Sequence, residues 1–164
     1  FQFGKRGYPG VDKQVYYDEG IYVGYRWFNT KGVVPQFPFG FGLSYTTFKY
    51  GKPTLSAQTM DKNGKIMLSV AVTNTGRRAG KETIELFIGD DKCSEERPKK
   101  ELKNFAKVAL APGETKTVSF DITSGDLEYW SESTHGFVAE PGTFTAYVCA
   151  SETDVRATAK FELK

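Results

Sequence analysis

From Pro53 onward, apolar side chains occupy every second position in short runs, and turn residues separate the runs. Ile66, Leu68, Val70 and Val72 share one face of a strand, Ile84, Leu86 and Ile88 a second, and Val118, Phe120 and Ile122 a third. Phe144, Ala146 and Val148 repeat the rule, as do Val155, Ala157, Ala159, Phe161 and Leu163. Alternate residues of a strand reach the same face, so period two predicts half-buried strands, and about seven of them fit an antiparallel sandwich. Between the runs lie Asn63-Gly64, Thr75-Gly76, Pro112-Gly113 and Pro141-Gly142. Gly supplies positive φ in such turns and Pro presets φ near its turn value. Ser124 stands where its hydroxyl would cap a single helical turn through Asp126, Leu127 and Tyr129.

Residues 1 to about 50 follow no sustained period. Asp18 with Glu19 resembles a helix start, and Ile21, Tyr25 and Phe28 would then share a face; Ile21, Val23, Tyr25 and Trp27 also alternate. We read a short helix ending near Gly32. Pro35, Pro38, Gly40 and Gly42 exclude regular structure afterwards and predict an extended linker lying against other protein. Aromatic residues crowd the stretch from Tyr22 to Phe48 with little local pattern to bury them, so they call for a partner surface. The chain divides into residues 1–52, docking segment and linker, and residues 53–164, the sandwich.

A length of 164 residues is enough for a real core without a metal or disulfide staple. Aromatic residues make up 15% of it, a share that cores, interfaces and sugar platforms would all use. With 22 Lys and Arg against 20 Asp and Glu, the net charge of +2 supplies no field to gather nucleic acid. The densest basic stretch, Arg97 to Lys103, is interrupted by Glu101 and preceded by Glu95 and Glu96, the pattern of a solvated mixed-sign surface. No apolar run reaches a membrane span, and Phe1 to Gly7 lacks the apolar core of a signal peptide. The chain opens on Phe1 rather than Met; a processed product, a proteolytic fragment or an engineered piece would each begin so. Tyr147 stands two residues before Cys149 as in immunoglobulin strands, but the run from Ile66 to Thr73 holds no Cys to bridge to. Cys93, in a polar loop, and Cys149, in a strand, are expected to be unpaired, with Cys149 the more buried.

Candidate chemistry is sparse. Asp18 and Glu19 are adjacent carboxylates, yet sequence neighbours point apart, so a helix start or an ion pair with Arg26 accounts for them. His135 is the only histidine, which excludes a multi-histidine metal site, and it reads as a loop residue before Gly136. Asp90, Asp91 and Glu95 lack calcium-loop spacing and read as solvated loop charges. Gly40-Phe41-Gly42 lacks the preceding strand and third Gly of a phosphate loop. No catalytic, cofactor-binding or metal-binding residue is assigned. Trp27, Tyr129 and Trp130 are the candidates for a sugar platform, because a ring face packs on the apolar face of a pyranose.

Two stretches carry a resemblance. Tyr17-Asp18-Glu19-Gly20-Ile21-Tyr22-Val23-Gly24-Tyr25-Arg26, followed by Phe37-Pro38-Phe39-Gly40-Phe41-Gly42-Leu43-Ser44-Tyr45-Thr46-Thr47-Phe48, resembles the segment that ends the catalytic part of glycoside hydrolase family 3 enzymes, the β-glucosidase and β-xylosidase group. That segment leads into a fibronectin type III-like domain, and Arg97 to Phe105 and Leu110 to Glu114 stand where such a domain has similar residues. The resemblance implies a mostly β fold: a fibronectin type III-like, immunoglobulin-like antiparallel sandwich after an irregular docking segment that is the tail of a catalytic α/β sandwich domain. It implies retaining hydrolysis by a nucleophile on an upstream (β/α)₈ barrel and an acid/base Glu, also upstream. The nucleophile's Ser-Asp-Trp-like motif has no match in this sequence, so no catalytic residue carries over.

The implied role is a non-catalytic accessory region that steadies the catalytic domains, with no cofactor and an extracellular or periplasmic setting. Interdomain docking is expected at Tyr17, Glu19, Tyr25, Arg26, Trp27, Phe39, Phe41 and Tyr45. Without that partner, residues 1–50 should be the less stable half and use their aromatics for self-association. A stand-alone carbohydrate-binding module and a subunit-interaction domain are the alternatives.

Overall fold

The computed structural model describes residues 4–164; Phe1, Gln2 and Phe3, the first of the residues read as lacking a signal-peptide core, lie outside the described residues. Helix α1 spans Gly4–Gly7 and α2 spans Tyr25–Lys31. The strands are β1 Phe48–Tyr50, β2 Thr54–Leu55, β3 Thr59–Met60, β4 Lys65–Asn74, β5 Gly80–Asp90 and β6 Glu101–Leu110, then β7 Thr115–Thr123, β8 Tyr129–Ser131, β9 Gly136–Val138, β10 Gly142–Cys149 and β11 Val155–Leu163.

Each period-two run becomes a strand, and the strands form two sheets and a hairpin. In the first sheet β4 pairs antiparallel with β7 on one side, and with β1 and then β2 along the other. The chain then crosses over, and β3 pairs parallel with β11 to open the second sheet, ordered β3-β11-β10-β5-β6. β8 and β9 form a separate hairpin with His135 in its turn. The core lies between the sheets. Ile66, Leu68, Val70 and Val72 from β4 and Val118, Phe120 and Ile122 from β7 meet Ile84, Leu86, Ile88, Phe144, Ala146, Val148, Phe161 and Leu163 of the second sheet. Burying each such side chain contributes about 1.5–3 kcal/mol, so this double layer outweighs any single surface contact.

Several local expectations are corrected. The helix does not start at Asp18: Gly20 and Gly24 both take positive φ, which breaks the chain into turns, and α2 begins only at Tyr25. It does stop at Gly32, left-handed at φ 67°, with the Val33 amide donating to the Phe28 carbonyl at 2.9 Å. Asp18 pairs with Arg6 at 3.1 Å rather than with Arg26, whose partner is Glu101. Ser124 is the first residue of a single 3₁₀ turn, Ser124–Asp126, and not its cap; the Thr123 amide and hydroxyl both donate to the Asp126 carboxylate at 2.8 Å. Of the four turn glycines, Gly113 has positive φ, at 75°.

Asn74 continues the inward row of β4 and is wholly buried. Its Nδ2 donates to the carbonyls of Arg78 at 2.7 Å and Leu110 at 3.0 Å. Its Oδ1 accepts from the Thr46 hydroxyl at 2.6 Å and the Gly76 amide at 3.0 Å. One amide thus ties together the β4–β5 turn, the end of β6 and the last residues of the linker. Cys149 is buried and Cys93 partly so, and both are free thiols.

Candidate functional site

The second sheet is covered on both faces. β5 is buried continuously from Ile84 to Gly89, so Glu85 and Phe87, which point away from the sandwich core, are hidden as well. What covers them is the N-terminal extension. The Tyr25 ring meets Phe87 edge-on at 5.6 Å and Phe39 at 5.3 Å, and the Tyr25 hydroxyl accepts from the Leu102 amide of β6 at 2.8 Å. Asn29 Nδ2 donates to Glu152 Oε1 at 2.5 Å, and the Glu152 amide donates to the Phe39 carbonyl at 2.8 Å. Buried Tyr22 donates its hydroxyl to Glu96 at 2.6 Å. The expectation that these aromatics need other protein to cover them is therefore wrong for Tyr22, Tyr25 and Phe39: Tyr25 and Phe39 meet the second sheet and the β10–β11 turn, and Tyr22 bonds Glu96 in the connection between β5 and β6.

The basic stretch is not a solvated surface either. Arg97, whose side chain is 10% exposed, bonds Asp90 Oδ2 at 3.4 Å, Glu101 Oε2 at 3.0 Å and the Leu127 carbonyl at 3.0 Å, with the Tyr129 ring 5.0 Å from its guanidinium. Arg26 of α2 reaches the other Glu101 oxygen at 3.0 Å and Lys103 lies 3.7 Å away. Burial alone would raise the Glu101 pKa, but Lys103, Arg97 and Arg26 outweigh it and hold the carboxyl below its ordinary value. The Lys103 ammonium is lowered by burial, with Glu101 opposing. Asp90 is an ion-pair member, and Asp91 accepts from Thr145 at 2.8 Å and Lys160 at 2.7 Å, so neither is a free loop charge. Deeper along the sheet, Lys100 and Glu152 form a second buried pair, Nζ to Oε1 3.6 Å.

Much of the extension is apolar and exposed. Tyr17, Val34, Leu43 and Tyr45 are 81%, 90%, 92% and 94% exposed, and Phe37 and Phe41, rings 5.3 Å apart, are exposed as well; Phe41 and Leu43 also line a groove with Lys81, Glu82 and Arg156 of the sandwich. Of the expected docking residues, Tyr25, Arg26 and Phe39 bind the sandwich, Tyr17, Phe41 and Tyr45 are exposed, and Glu19 is half-buried. Trp27, also half-buried, has the Lys31 ammonium 5.4 Å from its ring.

The proposed sugar rings separate. Tyr129 and Trp130 line a groove of about 680 Å³ with Ile21, Arg26, Glu128 and Phe137, whereas Trp27 lies on α2 and does not line it. Trp130 and Phe137 meet edge-on at 5.4 Å, while Tyr129 is stacked under Arg97 and bonded through its hydroxyl to Ser94. Among the described residues no cluster of His, Cys, Asp and Glu has metal-binding geometry, and no helix is long and apolar enough to cross a membrane.

Residues 82–152 match the family model of the fibronectin type III-like domain, which defines the class: a fibronectin type III-like β-sandwich, here with an N-terminal extension folded onto it. Over 160 residues, 98% of this chain, it is 54% identical to the β-glucosidase BoGH3A of Bacteroides ovatus, and that stretch is 21% of the relative. The crystal structure of the β-glucosidase DesR from Streptomyces venezuelae superposes with a TM-score of 0.88 at 37% identity, covering 98% of this chain and 20% of that one. The glycoside hydrolase family 3 β-glucosidase of Bifidobacterium adolescentis gives 0.89 at 36% identity, covering 96% and 23%. The chain belongs to glycoside hydrolase family 3 and corresponds to the C-terminal region of its β-glucosidase-type members; it spans about a fifth of the length of the curated relatives it matches.

Proposed function

We propose that this chain is the non-catalytic accessory part of a β-glucosidase-type enzyme, and that it steadies the domains that hydrolyse terminal β-linked sugars with retention. One observation carries the reading: the extension is fastened to the sandwich at some residues and leaves many apolar ones exposed. Tyr25, Asn29 and Phe39 fasten it to the sandwich, while Tyr17, Val34, Phe37, Leu43 and Tyr45 stay exposed and able to meet a partner. Exposed apolar groups gathered on one segment mark an interaction surface. The occupant it fits is the preceding catalytic region, because the relatives extend over about five times this length. Residues 1–52 act as the adapter and residues 53–164 as its rigid base.

The test is reconstitution. The purified chain alone should turn over no aryl β-glucoside or β-xyloside, and mixed with the separately produced upstream region it should form a complex that melts higher than that region alone. Leu43→Ser with Tyr45→Ser should abolish the complex and leave the sandwich folded. Failure of the unmodified chain to associate would remove the proposal.

A second reading is carbohydrate binding on the Trp130 and Phe137 rings, favoured by their exposure over an open groove flanked by Glu128 and Arg26. Oligosaccharide-dependent quenching of Trp fluorescence that disappears in Trp130→Ala would support it. Self-association through the exposed aromatics is a third outcome, read by sedimentation of the chain at rising concentration.

A further inference from the structure

The face that the extension covers holds a buried acid excess. Glu85 is 5% exposed, and Gly40 lies directly on its carboxyl: at φ 77°, a Cβ at residue 40 would sit 2.3 Å from Oε1 and 2.7 Å from Oε2. Only a glycine lets the Phe39–Phe41 backbone come this close. Nearby, Glu152 is paired: its Oε1 accepts from Asn29 at 2.5 Å and lies 3.6 Å from the Lys100 ammonium, which also donates to the Glu152 carbonyl. Glu85 Oε2, by contrast, is buried with no hydrogen-bond partner.

Of the charges facing Glu85, Lys100, just before β6, is the cation. Glu152 and Asp154 lie in the β10–β11 turn and are acids. Cys149 stands opposite Glu85 in register on β10, and burial pushes its thiol up to about 12, so it stays neutral. From the extension, Phe39, Gly40 and Asn29 bring no charge. With Glu85 ionised, the buried group of Glu85, Glu152 and Lys100 is left with an uncompensated negative charge in a poorly solvated place, whereas one bound proton makes it neutral.

We propose that Glu85 is a proton-binding site beneath the Phe39–Phe41 loop, and that the proton it takes up fastens the N-terminal extension to the sandwich. Burial raises the Glu85 pKa, with Lys100 pulling it back and Glu152 adding to the rise. A carboxyl raised in the folded state contributes stability that is fully present below its ordinary value of 4.5 and is lost as pH rises through the folded pKa. The extension is thus held most firmly in weakly acidic solution and loosens toward alkaline pH.

Glu85→Gln mimics the protonated carboxyl and supplies the test. Urea unfolding of the chain and the variant should give coincident midpoints near pH 4.5 that separate as pH rises, with the variant unfolding at the higher urea concentration at pH 8. A variant less stable than the parent at pH 8 would mean that ionised Glu85 is held by Lys100, and would overturn the proposal. Carboxyl-carbon NMR of the unmodified chain keeps the question open to refutation should the variant not fold. The Glu85 carboxyl should titrate above ordinary glutamate, and the Gly40 amide should shift with the same midpoint. An ordinary midpoint, or a Gly40 signal that ignores the titration, would dismiss the site or its link to the loop.

Discussion

Arg97 has three polar partners: Glu101, Asp90 at the end of β5, and the Leu127 carbonyl from beyond β7. That is why a basic run which looks solvated from its composition is nearly closed to water: the guanidinium's planar fork can answer two carboxylates and a carbonyl at once. Breaking such a pair leaves a charge behind, and the Asp90 side chain is 3% exposed. Arg97→Met should therefore lower stability by about 3 kcal/mol, measured by urea unfolding at neutral pH. A loss under half that would mean that water replaces the guanidinium at Asp90. Asn74 shows how a single residue could have been found from the sequence: it keeps phase with Ile66, Leu68, Val70 and Val72, so a polar side chain was bound to point inward and to need partners. Glu85 gave a similar hint, because Phe87 beside it is apolar on the face that a one-sided sheet would leave polar.

Among the elements, long strands with a clean inward row were legible, and the irregular ones were not. β4, β5, β7, β10 and β11 each bury one alternating apolar set, which fixes register against a one-residue slip. β6 escaped notice as a strand because Glu101, Lys103 and Lys107 interrupt it and its inward residues Ala106 and Val108 are only partly buried. The extension was legible as aromatic and linker-like, yet its fold depends on a long-range surface that no local period encodes. α2 has no side-chain cap and no fully buried residue, so two turns of helix this short persist through contacts with the sheet. Tyr25→Ala removes the ring between Phe39 and Phe87 together with the acceptor for Leu102. Tryptic cleavage at Arg26 and Lys31 should accelerate several-fold in that variant while the sandwich stays resistant. Unchanged cleavage would show that the hydrogen bonds of Asn29 and Glu152 suffice to hold the helix.

As a whole, the molecule is a two-sheet sandwich with a third, irregular layer laid over the far face of its larger sheet. That layer reaches β6, the outermost strand, whose Leu102 amide is taken by the Tyr25 hydroxyl and whose Ala109 carbonyl is taken by the Lys116 ammonium. An outermost strand presents a row of unpaired amides and carbonyls that another chain can adopt as a template, and proteins blunt such rows with lysines or a covering segment. Here the exposed Lys107 does part of this, and Tyr25 does the rest from a distance of more than seventy residues in sequence. A chain cut to residues 48–164 should keep its strand content by circular dichroism but associate at rising concentration, and a truncated chain that sediments as a monomer throughout would deny the extension this part. The residue that positions the adapter is thus also a guard against aggregation, so an enzyme assembled around this region would be most exposed to misassociation in the interval before its extension has closed over β6.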